Sequence, residues 1–143
     1  MKIYMAGPLF TAAEQAFNAA LATRLRHYGE EIWLPQENET RDTSPEEIFA
    51  KDVEGVDWAE MVLANMDGSD PDSGTCWECG YAFEKKPIII YRTDFRQAGD
   101  HKTMVNLMLE KSADIVLDLR NKTMSEICDA IINALVDLNE ETA

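Results

Sequence analysis

Cationic side chains are scarce in this sequence: 13 Lys and Arg stand against 27 Asp and Glu in 143 residues, a formal net charge of −14. A surface of that sign repels phosphate backbones, which excludes a nucleic-acid polymer as partner. It does not exclude a small nucleoside or nucleotide held in a local site. Cysteine is limited to Cys76, Cys79 and Cys128, an odd count that argues against a disulfide framework. Histidine is limited to His27 and His101, so the C-x-x-C of Cys76 and Cys79 has no second ligand pair and no metal site is expected. A redox pair sits at a helix N-terminus, where the dipole lowers a thiol pKa. Here the flanking Trp77-Glu78 and Gly80-Tyr81-Ala82 read as helix interior, with the cysteines as buried filler. No apolar run approaches the roughly 18 residues that span a bilayer, and no signal-peptide pattern opens the chain. A cytoplasmic protein without membrane contact is the expectation. A G-x-G-x-x-G fingerprint, a P-loop lysine motif, a G-x-S-x-G elbow and internal repeats are also lacking.

What is present is an ordinary globular composition, 45% hydrophobic, at a length that fits one domain over residues 1–143. Short apolar runs alternate with amphipathic segments. Strands are expected at 2–6, 31–34, 61–66, 87–91 and 113–117. Helices are expected from about Thr11 to Tyr28, with Gly29 as the residue after it, and from the Ser44-Pro45-Glu46-Glu47 start to about Ala59. Two more are expected over 75–84 and from Ser125 to about Asn139. Such alternation implies parallel pairing with right-handed crossover helices. The fold class is therefore doubly wound α/β: a flavodoxin/Rossmann-like five-stranded parallel sheet with helices on both faces. Ligands collect beyond the carboxyl ends of such strands, so the loops after Met5, Leu34, Met66 and Tyr91 are the ones to search.

The loop after the third strand is the most informative. Asp67-Gly68 and Asp72-Ser73-Gly74-Thr75 place carboxylates at that edge, and Glu78 follows Asp72 by six residues, in the next helix. Two neighbouring carboxyl groups divide labour when one stays ionised as nucleophile and the other handles protons. That division suits retaining cleavage of a glycosidic bond through a covalent sugar ester. The plainer reading makes Asp72 a helix cap and Glu78 a solvated helix residue. Gly7 after the first strand allows backbone to approach a ligand, and the Tyr4 hydroxyl can reach a site at that strand's end or be satisfied within the core. Asp52 and Asp57 lie on the second helix, where solvation is the simple reading. Asn106 stands in an apolar segment before the fifth strand, a common place for a cap.

Taken together, these segments resemble the nucleoside 2-deoxyribosyltransferase family. The resemblance runs through residues 2–10, through Asp72-Ser73-Gly74-Thr75 with Glu78-Cys79-Gly80-Tyr81-Ala82, through Lys86-Pro87, and through Asn106-Leu107-Met108, in order over about residues 1–118. It implies Glu78 as the nucleophile that attacks C1′ of the deoxyribose and Asp72 as the acid/base group serving the nucleobase. It further implies Asp52 as a second carboxylate near the sugar and Tyr4 as the group that orients the nucleophile. Gly7, Phe10, Asp67, Ser73 and Gly74 would contact substrate, and residues 37–39 fall where the family varies its base contacts. Asn106 would reach a neighbouring subunit's site, implying a homo-oligomer with shared sites.

The implied activity is base exchange between 2′-deoxynucleosides by double displacement, with a deoxynucleoside and a free nucleobase as partners and no cofactor. Two alternatives stand beside it: N-glycosidic hydrolysis of 2′-deoxynucleoside 5′-monophosphates, and a non-catalytic nucleotide-binding module on the same scaffold. The stretch Arg92, Arg96, His101 and Lys102 reads either as a solvated loop balancing local charge or as a phosphate contact, which would suit the hydrolase.

Overall fold

Parallel strands need crossover connections, and the chain provides them in nearly strict alternation. The computed structural model describes residues 1–99 and 102–142. The elements are β1 (Lys2–Ala6), α1 (Ala12–His27), β2 (Glu31–Trp33), a 3-10 turn (Pro35–Glu37), α2 (Pro45–Trp58), β3 (Met61–Asn65), α3 (Ser73–Ala82), β4 (Ile88–Arg92), α4 (Leu107–Ser112), β5 (Ile115–Asp118) and α5 (Met124–Thr142). All pairings are parallel, in the order β2-β1-β3-β4-β5. That is the flavodoxin-like order, in which the winding reverses between β1 and β3. The expected doubly wound α/β fold is the observed one.

Side chains alternate across the strands, so each strand feeds two cores. Ile3 and Met5 of β1, Met61 and Leu63 of β3, and Ile89 and Tyr91 of β4 pack beneath α1 and α5. Tyr4 and Ala6, Val62 and Ala64, and Ile88 and Ile90 face the other way, toward α2 and α3. Tyr4 is the one residue of β1 that combines full burial with a polar tip, and the register aims it at the α2–α3 layer. Leu21 and Leu25 of α1 are fully buried, each contributing on the order of 1.5–3 kcal/mol.

Caps set the helix boundaries. Thr11 and Glu14 form a reciprocal capping box at the start of α1. Ser44 accepts from the Glu47 amide at the start of α2, with Pro45 in the first turn. Helix α3 starts at Ser73, two residues before the expected boundary, because Asp72 takes the N-cap role and draws the loop into the helix. The six-residue α4 was not foreseen; Asn106 caps it by accepting from the Met108 amide. Among the described residues no helix is long and apolar enough to cross a membrane.

Candidate active site

The carboxyl ends of β1 and β3 open into a cavity of about 400 Å³ between α2 and α3. β1 and the loop after it contribute Tyr4, Gly7 and Phe10, and the segment after β2 contributes Glu39. Helix α2 supplies Phe49 and Asp52, and the start of α3 supplies Asp72, Gly74, Trp77 and Glu78. Four carboxyl groups therefore share one pocket, and among the described residues none that lines it is Lys, Arg or His. Among the described residues no three groups are arranged to hold a metal ion.

Local structure explains each placement. A Cβ on Gly7 would lie 3.0 Å from the Asn65 Cβ, so a glycine lets the loop after β1 pass close to the end of β3. Asp72 Oδ2 accepts from the Thr75 amide and from Thr75 Oγ1, each at 3.0 Å, leaving Oδ1 outside the cap. Six residues further, Glu78 is carried about 9 Å along the helix, at 1.5 Å per residue. There its Oε2 accepts the hydroxyl of Tyr4. Two elements from opposite sides of the switch point thus meet in one hydrogen bond.

The electrostatics follow from burial without a counter-charge. Burial pushes the Glu78 carboxyl up to about 8; the hydrogen bond from Tyr4 pulls the other way, and the charges of Asp52, Asp72 and Glu39 add to the rise. Asp52 is pushed up to about 7 by burial, then by the charge of Glu39 and a hydrogen bond with it. Burial, followed by the charge and hydrogen bond of Glu78, holds the Tyr4 phenol protonated, as a donor. A carboxyl group poised near neutrality in a cleft is the signature of a group meant to change protonation during work.

Of the residues singled out from sequence, Tyr4, Gly7, Phe10, Asp52, Asp72, Gly74 and Glu78 meet here. Asp67 does not line the cavity: its carboxylate accepts from the Thr93 and Asp94 amides at 2.7 and 2.9 Å and pins the loop after β4. Ser73 is exposed in the first turn of α3. Asn106 lines a second cavity, of about 580 Å³, shared with Cys76, Phe83 and Met108. Phe49, Trp77 and the contact of Glu39 with Asp52 were not foreseen. Phe49 lies three residues before Asp52, and that helical spacing is the signal that places the two on one face. Phe49 and Trp77 meet edge to face at 5.5 Å and remain half exposed at the mouth.

Two of the basic residues at the end of β4 and after it are engaged internally. Arg92 is fully buried and donates to the carbonyl oxygens of Met66 and Arg96 at 2.6 and 2.7 Å. Arg96 pairs with Asp94 at 2.6 Å. Lys102 is exposed, and His101 lies outside the described residues.

A flavodoxin-like sheet with a pocket of four carboxyl groups at its switch point defines an α/β protein with a cavity of small-ligand size at the edge where such sheets bind ligands. The chain belongs to the nucleoside 2-deoxyribosyltransferase family, whose model matches residues 3–108. Comparison with curated proteins finds no match. Among solved structures it is similar to a conserved protein of Enterococcus faecalis (25% identity, TM-score 0.74, covering 94% of this chain and 98% of that one). It is likewise similar to a 2-deoxyribosyltransferase of Bacillus psychrosaccharolyticus (26%, 0.68, 89% and 90%). A CMP N-glycosidase of Clostridium botulinum shares the fold (17%, 0.66, 94% and 99%). Family and neighbour together point to an enzyme of the deoxyribosyltransferase class.

Proposed function

We propose that this protein exchanges nucleobases between 2′-deoxyribonucleosides by a retaining double displacement. The observation that carries the reading is the hydrogen bond from Tyr4 to Glu78 inside the switch-point pocket. With Oε2 held by Tyr4, Oε1 is the oxygen left to attack C1′. The C1′–N bond breaks with its electron pair passing to the base, the Asp72 carboxyl supplies the proton the leaving base needs, and a C1′–O bond forms to Glu78. An incoming base then gives its proton to Asp72, attacks C1′ and frees Glu78. Developing positive charge at C1′ is stabilised by the anionic nucleophile, and two inversions give net retention.

Asp52 sits on α2 beside the Glu78 end of the pocket, as a second carboxyl near the sugar. Phe10, Phe49 and Trp77 offer aromatic surface for a base at the mouth. A neutral nucleoside suits this lining better than a phosphorylated one, because no cation among the described residues lines it and Arg92 and Arg96 are already engaged. Asn106 lies away from the Glu78 pocket of its own chain, next to Leu107 and Met108, which are 59% and 72% exposed. That supports an oligomer in which Asn106 serves a neighbouring subunit.

The test is thymidine or deoxyinosine supplied with free adenine. Transferred deoxyadenosine is the expected product, and a 2-fluoro deoxynucleoside should leave a sugar ester on Glu78, visible by mass spectrometry. Free base with deoxyribose 5-phosphate from monophosphates alone would favour hydrolysis instead. Binding without turnover or adduct would leave only a nucleotide-binding module.

A further inference from the structure

Two loops line the pocket alongside α2 and α3. Leu9 and Phe10 follow β1, and Pro35 and Glu39 follow β2. The loops are joined through α1, which packs on the opposite face of the sheet from α2 and α3. Asn18, buried in the second turn of α1, spends both amide hydrogens on this junction. Its Nδ2 donates to the Pro8 carbonyl at 3.0 Å and to Gln36 Oε1 at 3.1 Å. Gln36 Nε2 donates in turn to the Gln15 carbonyl at 2.9 Å, and Gln15 Nε2 to the Leu9 carbonyl at 2.9 Å. A carbonyl oxygen only accepts, so the Pro8 and Gln15 carbonyls fix which way the Asn18 and Gln36 amides point. Gln36 Oε1 is then the acceptor left for Asn18. Neither Asn18 nor Gln36 lines the cavity.

Resting on the transferase reading above, we propose that Asn18, acting through Gln36, is a positioning residue for the nucleobase. It holds the loops after β1 and β2 at one separation and so shapes the base end of the pocket. Phe10, 72% exposed at the mouth, rides on the first of these loops, and its amide donates to Glu14 Oε1 of α1 at 3.0 Å. The reacting end is held separately, by the hydrogen bond from Tyr4 to Glu78. A side-chain amide offers two donors on one atom, whereas a hydroxyl offers one and a carboxylate none. Without Asn18 the Pro8 carbonyl and the Gln36 amide lose a shared partner, and the two loops are free to part. Base binding then weakens more than bond making does.

The experiment follows thymidine with adenine as acceptor at steady state, resolving KM for adenine from kcat. Asn18→Ala should raise that KM about tenfold, with kcat falling less than about threefold. Gln36→Ala, at a half-buried position, keeps the bond from Asn18 to Pro8 and should raise KM about threefold. It also carries the test if Asn18→Ala fails to fold. KM does not depend on the amount of folded enzyme, so a merely structural role lowers only the apparent kcat. An unchanged KM in either folded variant overturns the inference while leaving the transferase intact. No transfer by the parent protein overturns the transferase reading itself.

Discussion

Carboxylates occur in this molecule in two opposite settings. At the switch point Glu39, Asp52, Asp72 and Glu78 gather without a cation, and Glu78 and Asp52 are pushed up to about 8 and about 7, chiefly by burial. A short distance along the same edge of the sheet, Asp94 accepts from Arg96 and from the Gly68 amide. The Arg96 hydrogen bond foremost holds it below the usual carboxylate range. Asp118 is lowered in the same way by Arg120. Thirteen Lys and Arg are too few to pair every acid, and among the described residues the pairs are formed outside the pocket. Withholding a counter-charge, rather than supplying an acid, is what separates the reactive set from the structural one.

The contrast breaks most severely at Glu78. Glu78→Ala should lower base exchange by about 10³-fold or more, since no other group can form the sugar ester; chromatographic detection of transferred deoxynucleoside checks this. Tyr4→Phe removes the donor to the nucleophile and should lower kcat by roughly 10- to 100-fold. Attack requires ionised Glu78, so kcat/KM of the free enzyme should climb with pH through the region near 8. Because the Tyr4 hydrogen bond pulls that value down, Tyr4→Phe should move the limb to higher pH.

The two settings also predict opposite stability slopes. Glu78 keeps its proton in the folded state up to about 8, against an ordinary value of 4.5. Its contribution to stability is therefore full below pH 4.5 and is lost as pH rises through about 8, at up to about 1.4 kcal/mol per pH unit. Glu78→Gln should melt at higher temperature than the parent at pH 9 and alike at pH 4, an activity-for-stability exchange seen by thermal scans. Asp94 runs the other way: its stabilisation is full above the ordinary value of 3.8 and fades as pH falls below it. The smallest effect is expected from Asp94→Asn. It should cost about 1 kcal/mol or less at neutral pH, a drop of a few degrees in Tm, with base exchange unchanged.

The sheet was legible because its signal is repeated. Apolar runs such as Ile88-Ile89-Ile90 and the helix starts at Thr11 and Ser44 each point to one outcome, and parallel pairing follows from the alternation. Of the site, Tyr4, Asp72 and Glu78 were legible through residue chemistry and family resemblance together. Helix α4 was not, since six residues have too little periodicity to register. Asp67 and Arg92 looked like site residues because their types are reactive, whereas their partners, the Thr93 amide and the Met66 carbonyl, are backbone groups that sequence does not expose. Glu39 lay in a loop, and its closeness to Asp52 is a tertiary fact.

The alternation along β1 has an evolutionary consequence. Tyr4 reaches Glu78 only because Ile3 and Met5 on either side of it are anchored in the opposite core. A single-residue insertion or deletion in that strand would turn the hydroxyl to the α1–α5 face and bring an aliphatic side chain to Glu78. The chemistry is thus inherited with the strand's phase. Substitutions can retune the loops after β2 and β4, but length changes in β1 extinguish the reaction and the core together.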